Sequence, residues 1–244
     1  YWGSTARRQT TDAGGRMDTG AGHLQGPALP LSSGLPRLFW VTDDDEVGRP
    51  DFVARAEEAV QACGSSCAVQ LRAHAMGARE LWRLAERLKA ITEAARAGLW
   101  VNDRVGVALA VRADGVQLGV RSMRPGAARR ILGRACWIGC SAHAASEVTE
   151  LVRAGADMVV LGHVYATSSH QNRPPLGLGV LRQAASEGRP VVAIGGISDD
   201  RVREVMEAGA WGVAVRSGIW GAGDVAAAAR RYLSALETAV GADF

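Results

Sequence analysis

Val191-Val-Ala-Ile-Gly-Gly-Ile197 and Val213-Ala-Val-Arg-Ser-Gly-Ile219 decide the fold. Each is a short apolar run that breaks into small residues, and the stretch between them, 200–208, is helical in pattern. A buried strand, a glycine-rich exit, a helix and a second buried strand make one unit of a parallel sheet. Working outward, the same rhythm predicts strands at 38–42, 68–72, 99–102, 115–118, 136–140, 158–161, 191–194 and 212–215. Helices are expected at 51–61, 78–97, 105–111, 125–132, 145–154, 179–185, 200–208 and 225–236. Eight strands and eight helices with no second kind of repeat favour an α/β fold of the closed (β/α)₈ barrel type. An open doubly wound sheet would carry a glycine-rich first turn, whereas the first strand here runs into Asp43-Asp-Asp45.

The 244 residues are 48% apolar and 22% charged, an ordinary globular balance that one barrel of this length can satisfy. Residues 1–35 are rich in Gly, Ser, Thr, Arg and Pro without periodicity and are expected to form a disordered N-terminal extension, followed by a barrel over 36–244. The chain opens on Tyr1, and Met17 offers an internal start that would make residues 1–16 an upstream extension. No apolar run reaches the roughly 18 residues of a membrane span, and no signal-peptide core is evident, so a cytoplasmic protein without membrane attachment is expected. Net charge is only +3, and all basic residues except Lys89 are arginines interleaved with acids, which argues against a nucleic-acid partner.

The four cysteines form two C-x₃-C pairs, Cys63/Cys67 and Cys136/Cys140. That spacing is a weak zinc signal, and small buried core residues are the expected role. Trp82, Trp137, Trp211 and Trp220 would mark a homo-oligomer interface if exposed; large aromatics usually belong to the core.

In a barrel the chemistry lies at the C-terminal ends of the strands, and phosphate often sits between the loops after strands seven and eight. Gly195 and Gly196, with Ser217 and Gly218 one strand later, are therefore candidate phosphate ligands, their amides and hydroxyl facing an anion. Gln70 and Arg72 alternate at the second strand end, and an arginine there suits an anion through paired hydrogen bonds. Asn102 and Asp103 close the third strand, where a metal or substrate role and a helix cap are both open. Ser141 and His143 follow the fifth strand and His163 the sixth; imidazoles there can move protons near neutral pH. The stretch 166–178 is a long connection placed where a lid would lie.

Several segments together resemble the superfamily of thiamin phosphate synthase and TenI. They are Gln70-Leu-Arg72, Asn102-Asp-Arg-Val105, Ala113-Asp-Gly-Val-Gln-Leu-Gly119, Gly139-Cys-Ser-Ala-His143, Gly155-Ala-Asp157, Gly162-His-Val-Tyr-Ala-Thr167, Ile194-Gly-Gly-Ile197 and Ala208-Gly-Ala-Trp-Gly-Val-Ala-Val215. The resemblance implies a (β/α)₈ barrel acting on a small phosphorylated thiazole. In the synthase branch a hydroxymethylpyrimidine diphosphate is coupled to thiazole phosphate with help from Mg²⁺ held by two aspartates. Asp103 matches the first, but Ser122 stands at the second; His74 replaces a lysine, and no lysine occurs in Thr167-Ser-Ser-His170. Gly162-His163 and Gln117 instead resemble the TenI branch, thiazole tautomerases. The resemblance thus implies a tautomerase with no required cofactor, His143 as acid/base, His163 and Arg72 assisting, and Gln117 binding substrate. The alternatives are a synthase needing Mg²⁺ at Asp103 and a non-catalytic, regulatory phosphate-binding barrel.

Overall fold

The alternating apolar runs close into a barrel of eight parallel strands, in chain order around the ring, with the last pairing to the first. The structure, a computed structural model, describes residues 34–167, 169 and 173–241. The expected N-terminal extension, save Gly34 and Leu35, lies outside the described residues. The elements are β1 (Leu38–Val41), α1 (Asp44–Val47), α2 (Phe52–Cys63), β2 (Cys67–Leu71), α3 (Ala78–Ala94), β3 (Gly98–Asn102), α4 (Val105–Ala110), β4 (Gly115–Leu118) and α5 (Pro125–Leu132). They continue with β5 (Trp137–Ala142), α6 (Ala145–Arg153), β6 (Met158–Gly162), α7 (Gly177–Ala185), β7 (Val191–Ile194), α8 (Val202–Glu207), β8 (Gly212–Val215), α9 (Ser217–Trp220) and α10 (Val225–Val240).

Strand residues divide by parity, as side chains that alternate between two faces must. Phe39, Val41, Ala68, Trp100, Met158, Val160, Val192 and Ala214 fill the barrel interior together with Leu35, which therefore belongs to the fold rather than to the extension. Leu38, Trp40, Val69, Leu99, Val101 and their counterparts point outward and bury the apolar stripes of the helices. Burying one such side chain fully contributes about 1.5–3 kcal/mol. Trp100 lies in the barrel interior, packed edge-on to Phe39 at 5.2 Å between ring centroids. Its indole fills the space that side chains at Gly115 and Gly139 would need.

Two short helices were not expected from the sequence. Asp43, read only as a non-dinucleotide turn, caps α1: its carboxylate accepts from the Asp45 and Glu46 amides, and Glu46 Oε2 accepts from the Asp43 amide at 2.8 Å. This is the reciprocal pairing of an Asp-x-x-Glu capping box. The second, α9, begins at Ser217. The expected cap of α4 by Asn102 or Asp103 is not formed; Arg104 holds the cap position without a side-chain bond, and the Asp103 carboxylate turns to the β4 loop. All four cysteines are free and buried, and no cluster of metal-ligating side chains occurs among the described residues. Burial pushes the Cys136 thiol up to about 11 and the Cys140 thiol to about 12. Trp220 is buried under α10 and α2, not exposed, while Trp82 is 38% exposed. No helix among the described residues is long and apolar enough to cross a membrane.

Candidate active site

A cleft of about 1030 Å³ opens at the C-terminal ends of the strands. Gln70, Arg72, Asn102, Gln117, Ser141, His143, His163, Gly195, Gly196, Ser217 and Gly218 all line it, so residues from seven different strand ends meet in one place. Asp103 does not; it lines a smaller concavity of about 270 Å³ that shares Asn102 with the cleft.

On one wall, the amides of Gly196, Ser217 and Gly218 donate to no protein acceptor among the described residues. Gly196 has φ +67, a backbone state that side chains other than glycine's rarely adopt. A Cβ there would come within 2.5 Å of the Ala166 carbonyl oxygen and 2.8 Å of Tyr165 Cβ. A Cβ on Gly195 would collide with His163, and one on Gly218 with the Tyr232 hydroxyl. The glycines are thus required by close packing of the β6, β7 and α10 segments, and all three line the cleft. Close approach to a ligand was the reason anticipated from sequence; the contacts in the structure are with neighbouring protein atoms.

Arg201 completes this wall and was missed in the sequence, where it read as a solvated helix residue. Its Nη1 donates to the Gly196 carbonyl at 2.8 Å, and its guanidinium lies 4.6 Å from the centroid of the Tyr165 ring. Tyr165 in turn donates to Glu204 at 2.5 Å, and burial first, then Glu204, push its phenol up to about 12. The Arg201 bond fixes the carbonyl of the Gly196–Ile197 peptide at the exit of β7.

Arg216, also unforeseen, stands beside Ser217 at the end of β8. It ion-pairs with Asp43 and donates to Ser169 Oγ at 3.1 Å, joining the β1, β6 and β8 loops. Burial pushes the Glu46 carboxyl up to about 7, helped by its hydrogen bond to Asp43 and the like charge of Asp43. Asp43 is held below the usual carboxylate range: burial opposes this, but hydrogen bonds from Glu46 and Asp45 and the Arg216 charge prevail.

The cleft floor is built from amides. Gln70 Nε2 donates to Asn102 Oδ1 at 3.3 Å, and Asn102 Nδ2 donates to Asp103 Oδ2 at 2.9 Å. Gln117 Nε2 donates to Ser141 Oγ at 3.0 Å, and its buried Oε1 has no partner. The Arg72 backbone is clamped by the Thr42 hydroxyl on both its N–H and its carbonyl, each at 2.9 Å, and the residue lines the cleft. His143 is exposed on the rim, its backbone amide fixed by Glu147 at 2.8 Å. His163 is buried, with Nε2 3.2 Å from the Arg173 carbonyl. The two imidazoles share the cleft but occupy different settings, one wet and one packed. The connection expected at 166–178 contributes Thr167, Ser169, Arg173 and Pro174 to the lining; residues 168 and 170–172 lie outside the described residues, and α7 starts two residues earlier than expected.

A Mg²⁺ ion is the group the superfamily resemblance implies, and the residues present do not fit it. Asp103 is the sole carboxylate of its concavity, where Mg²⁺ uses one or two carboxylates plus substrate phosphates. Both of its oxygens are engaged: Oδ1 by the Gly119 amide at 3.2 Å and by the Ser122 hydroxyl, Oδ2 by Asn102. Ser122 also accepts from the Gly119 amide at 2.7 Å, closing the loop on itself. Lys89, the chain's one lysine, pairs with Asp114 at 3.0 Å and lines neither concavity.

Fold and cleft define the class, a (β/α)₈ barrel with an open cleft at the C-terminal ends of its strands. The family model described as thiamine monophosphate synthase matches residues 38–219, and the chain belongs to that TMP-TENI family. It is 43% identical over 189 residues to a thiamine-phosphate synthase of Methanoregula boonei, covering 76% of this chain and 88% of that one. It is 37% identical over 201 residues to thiamine-phosphate synthase 1 of Aquifex aeolicus, covering 82% and 93%. Among solved structures, a thiamine phosphate pyrophosphorylase from Pyrococcus furiosus superposes with a TM-score of 0.75 at 35% identity, covering 84% and 97%.

Proposed function

We propose that the protein is a thiamin-biosynthesis transferase of the thiamine-phosphate synthase type, joining hydroxymethylpyrimidine diphosphate to thiazole phosphate. The observation that carries this reading is its likeness to proteins named thiamine-phosphate synthase over most of both chains. These names favour the coupling alternative over the tautomerase expected from sequence. The cleft supports it: at about 1030 Å³ it is at the upper end of the range for single small ligands, with room for two substrates. The thiazole phosphate sits against Gly196, Ser217 and Gly218. Arg72 faces the diphosphate, and Gln70, Asn102, Gln117 and Ser141 supply polar contacts to the rings. The methylene–oxygen bond breaks with its electron pair leaving on diphosphate, and the thiazole nitrogen lone pair forms the new carbon–nitrogen bond.

One specific observation favours a second reading, a TenI-like thiazole tautomerase with His143 as acid/base and His163 and Arg72 on the substrate carboxylate. Ser122, rather than a carboxylate, closes on Asp103, and no lysine reaches the cleft. Parallel assays separate the two. Thiamin phosphate formation from hydroxymethylpyrimidine diphosphate and thiazole phosphate is measured beside aromatisation of the thiazole carboxylate phosphate tautomer. Coupling without aromatisation supports the transferase; aromatisation without coupling overturns it. Thiazole phosphate binding with neither turnover assigns the regulatory class.

A further inference from the structure

We propose that the concavity beside Asn102 is an oxyanion pocket, in which Arg104 and Arg121 hold a diphosphate or phosphate group directly, without a metal ion. It rests on the transferase reading for its place in the reaction, as the seat of the leaving diphosphate, but the binding claim stands on the pocket itself.

The sign of the pocket is the first argument. Its charged lining is Arg104, Arg121 and Asp103, so the fixed charge is net positive, and His74 adds a ring nitrogen to the same wall. A cation enters such a pocket against repulsion, and an anion enters with attraction. The state of the single carboxylate is the second. Asp103 has its charge spread over hydrogen bonds from the Gly119 amide, Asn102 Nδ2 and the Ser122 hydroxyl, so it is stabilised by the loop and does not call for an ion. Asp103 also sits at φ +60, and the same three donors hold that left-handed turn in place.

The arginines are the third argument. Neither guanidinium is paired with a carboxylate among the described residues, although both are exposed and the chain is rich in acids elsewhere. Planar guanidinium forks match phosphate oxygens two at a time, which a lone ammonium does not. Finally, the pocket is large enough and connected. Its volume of about 270 Å³ equals roughly nine waters at ~30 Å³ each, and Asn102 lines both it and the main cleft. Arg72, next to Ala73 of the pocket wall, lies on the cleft side. A diphosphate can therefore span from Arg72 to Arg104 and Arg121 past the Asn102 amide.

The test is calorimetry on the full chain with inorganic pyrophosphate, in EDTA and again in MgCl₂, with MgCl₂ alone as a third titration. The pocket predicts binding in EDTA, an affinity that changes by less than about threefold with Mg²⁺, and no binding of Mg²⁺ by itself. Arg104→Ala combined with Arg121→Ala, both exposed and so without cost to folding, should weaken pyrophosphate about tenfold or more, as expected for losing charged hydrogen bonds. The same variant should keep its affinity for thiazole phosphate, which the Gly196 wall holds. Ser122→Asp should weaken pyrophosphate in EDTA and make the binding respond to Mg²⁺. Pyrophosphate binding that requires Mg²⁺ in the parent, or parental affinity in the double variant, would overturn the proposal. Failure to form thiamin phosphate would refute the transferase reading and leave these binding results untouched.

Discussion

Gly196→Ala isolates what the β7 turn does. Adding one methyl group at φ +67 incurs the left-handed penalty of about 1–2 kcal/mol. It also places Cβ 2.5 Å from the Ala166 carbonyl oxygen, so the turn or the β6 loop must retreat by nearly an ångström to reach ordinary contact at 3.4 Å. Overpacking of that kind costs about 1–3 kcal/mol. Together the two effects amount to roughly 2–5 kcal/mol, a fall in Tm of roughly 4–20 °C for a domain of this size. Gly188→Ala is the control, because Gly188 has φ +75 with nothing within 4 Å. It should show only the backbone penalty, roughly 2–8 °C. The displaced Gly196 amide should also lose its hydrogen bond to the substrate phosphate. A charged hydrogen bond contributes about 1.5–3 kcal/mol, so thiazole phosphate affinity should fall about 10- to 150-fold. Calorimetric titration well below Tm reads this, with Gly188→Ala retaining parental affinity. A Gly196→Ala protein as stable as Gly188→Ala and binding with parental affinity would refute both the packing argument and the phosphate wall.

Three further outcomes are expected. His143→Ala should lower turnover by about 10²–10⁴-fold if the imidazole moves a proton in the rate-limiting step, with thiazole phosphate binding nearly intact; an unchanged single-turnover rate removes His143 from the chemistry. Glu46 has its folded-state carboxyl raised to about 7, so its contribution is fully present below the unfolded value of 4.5 and is lost as pH rises through 7. Glu46→Gln should therefore flatten the decline of Tm between pH 5 and 8, and parallel Tm profiles for the two proteins would contradict this. Cys136 and Cys140, buried and pushed to about 11 and 12, should react with iodoacetamide at pH 7.5 only as fast as the protein opens; rapid labelling of the native protein would show that the β5 region is less closed than its packing implies.

Much was written into the order of residues. Strand parity, the eightfold alternation and the glycine-rich exits of β7 and β8 are local properties, since apolar periodicity and backbone freedom act over a few neighbours. They sufficed to place Gln70, Asn102, Ser141, His143, His163, Gly195, Gly196, Ser217 and Gly218 on one rim, because a closed parallel barrel brings all strand ends together, whereas Gln117 was singled out only by the family resemblance. The direction of each side chain depended on partners distant in sequence. Arg201 read as a surface residue until the fold set it against Tyr165 and the Gly196 carbonyl. Arg216 gained its role from Asp43, 173 positions away. Asp103 read equally well as a metal ligand, a substrate contact or a cap; the tertiary structure gave its oxygens to Gly119, Ser122 and Asn102. The sequence by itself determined the eight strands, the eight longer helices between and after them, and the end of the barrel at which the candidate residues gather, though not the short helices α1 and α9. Only the tertiary structure decided which polar groups satisfy one another and which face the cleft, because a hydrogen bond or an ion pair is chosen by distance in space, and that distance is set by the closed ring of strands as a whole.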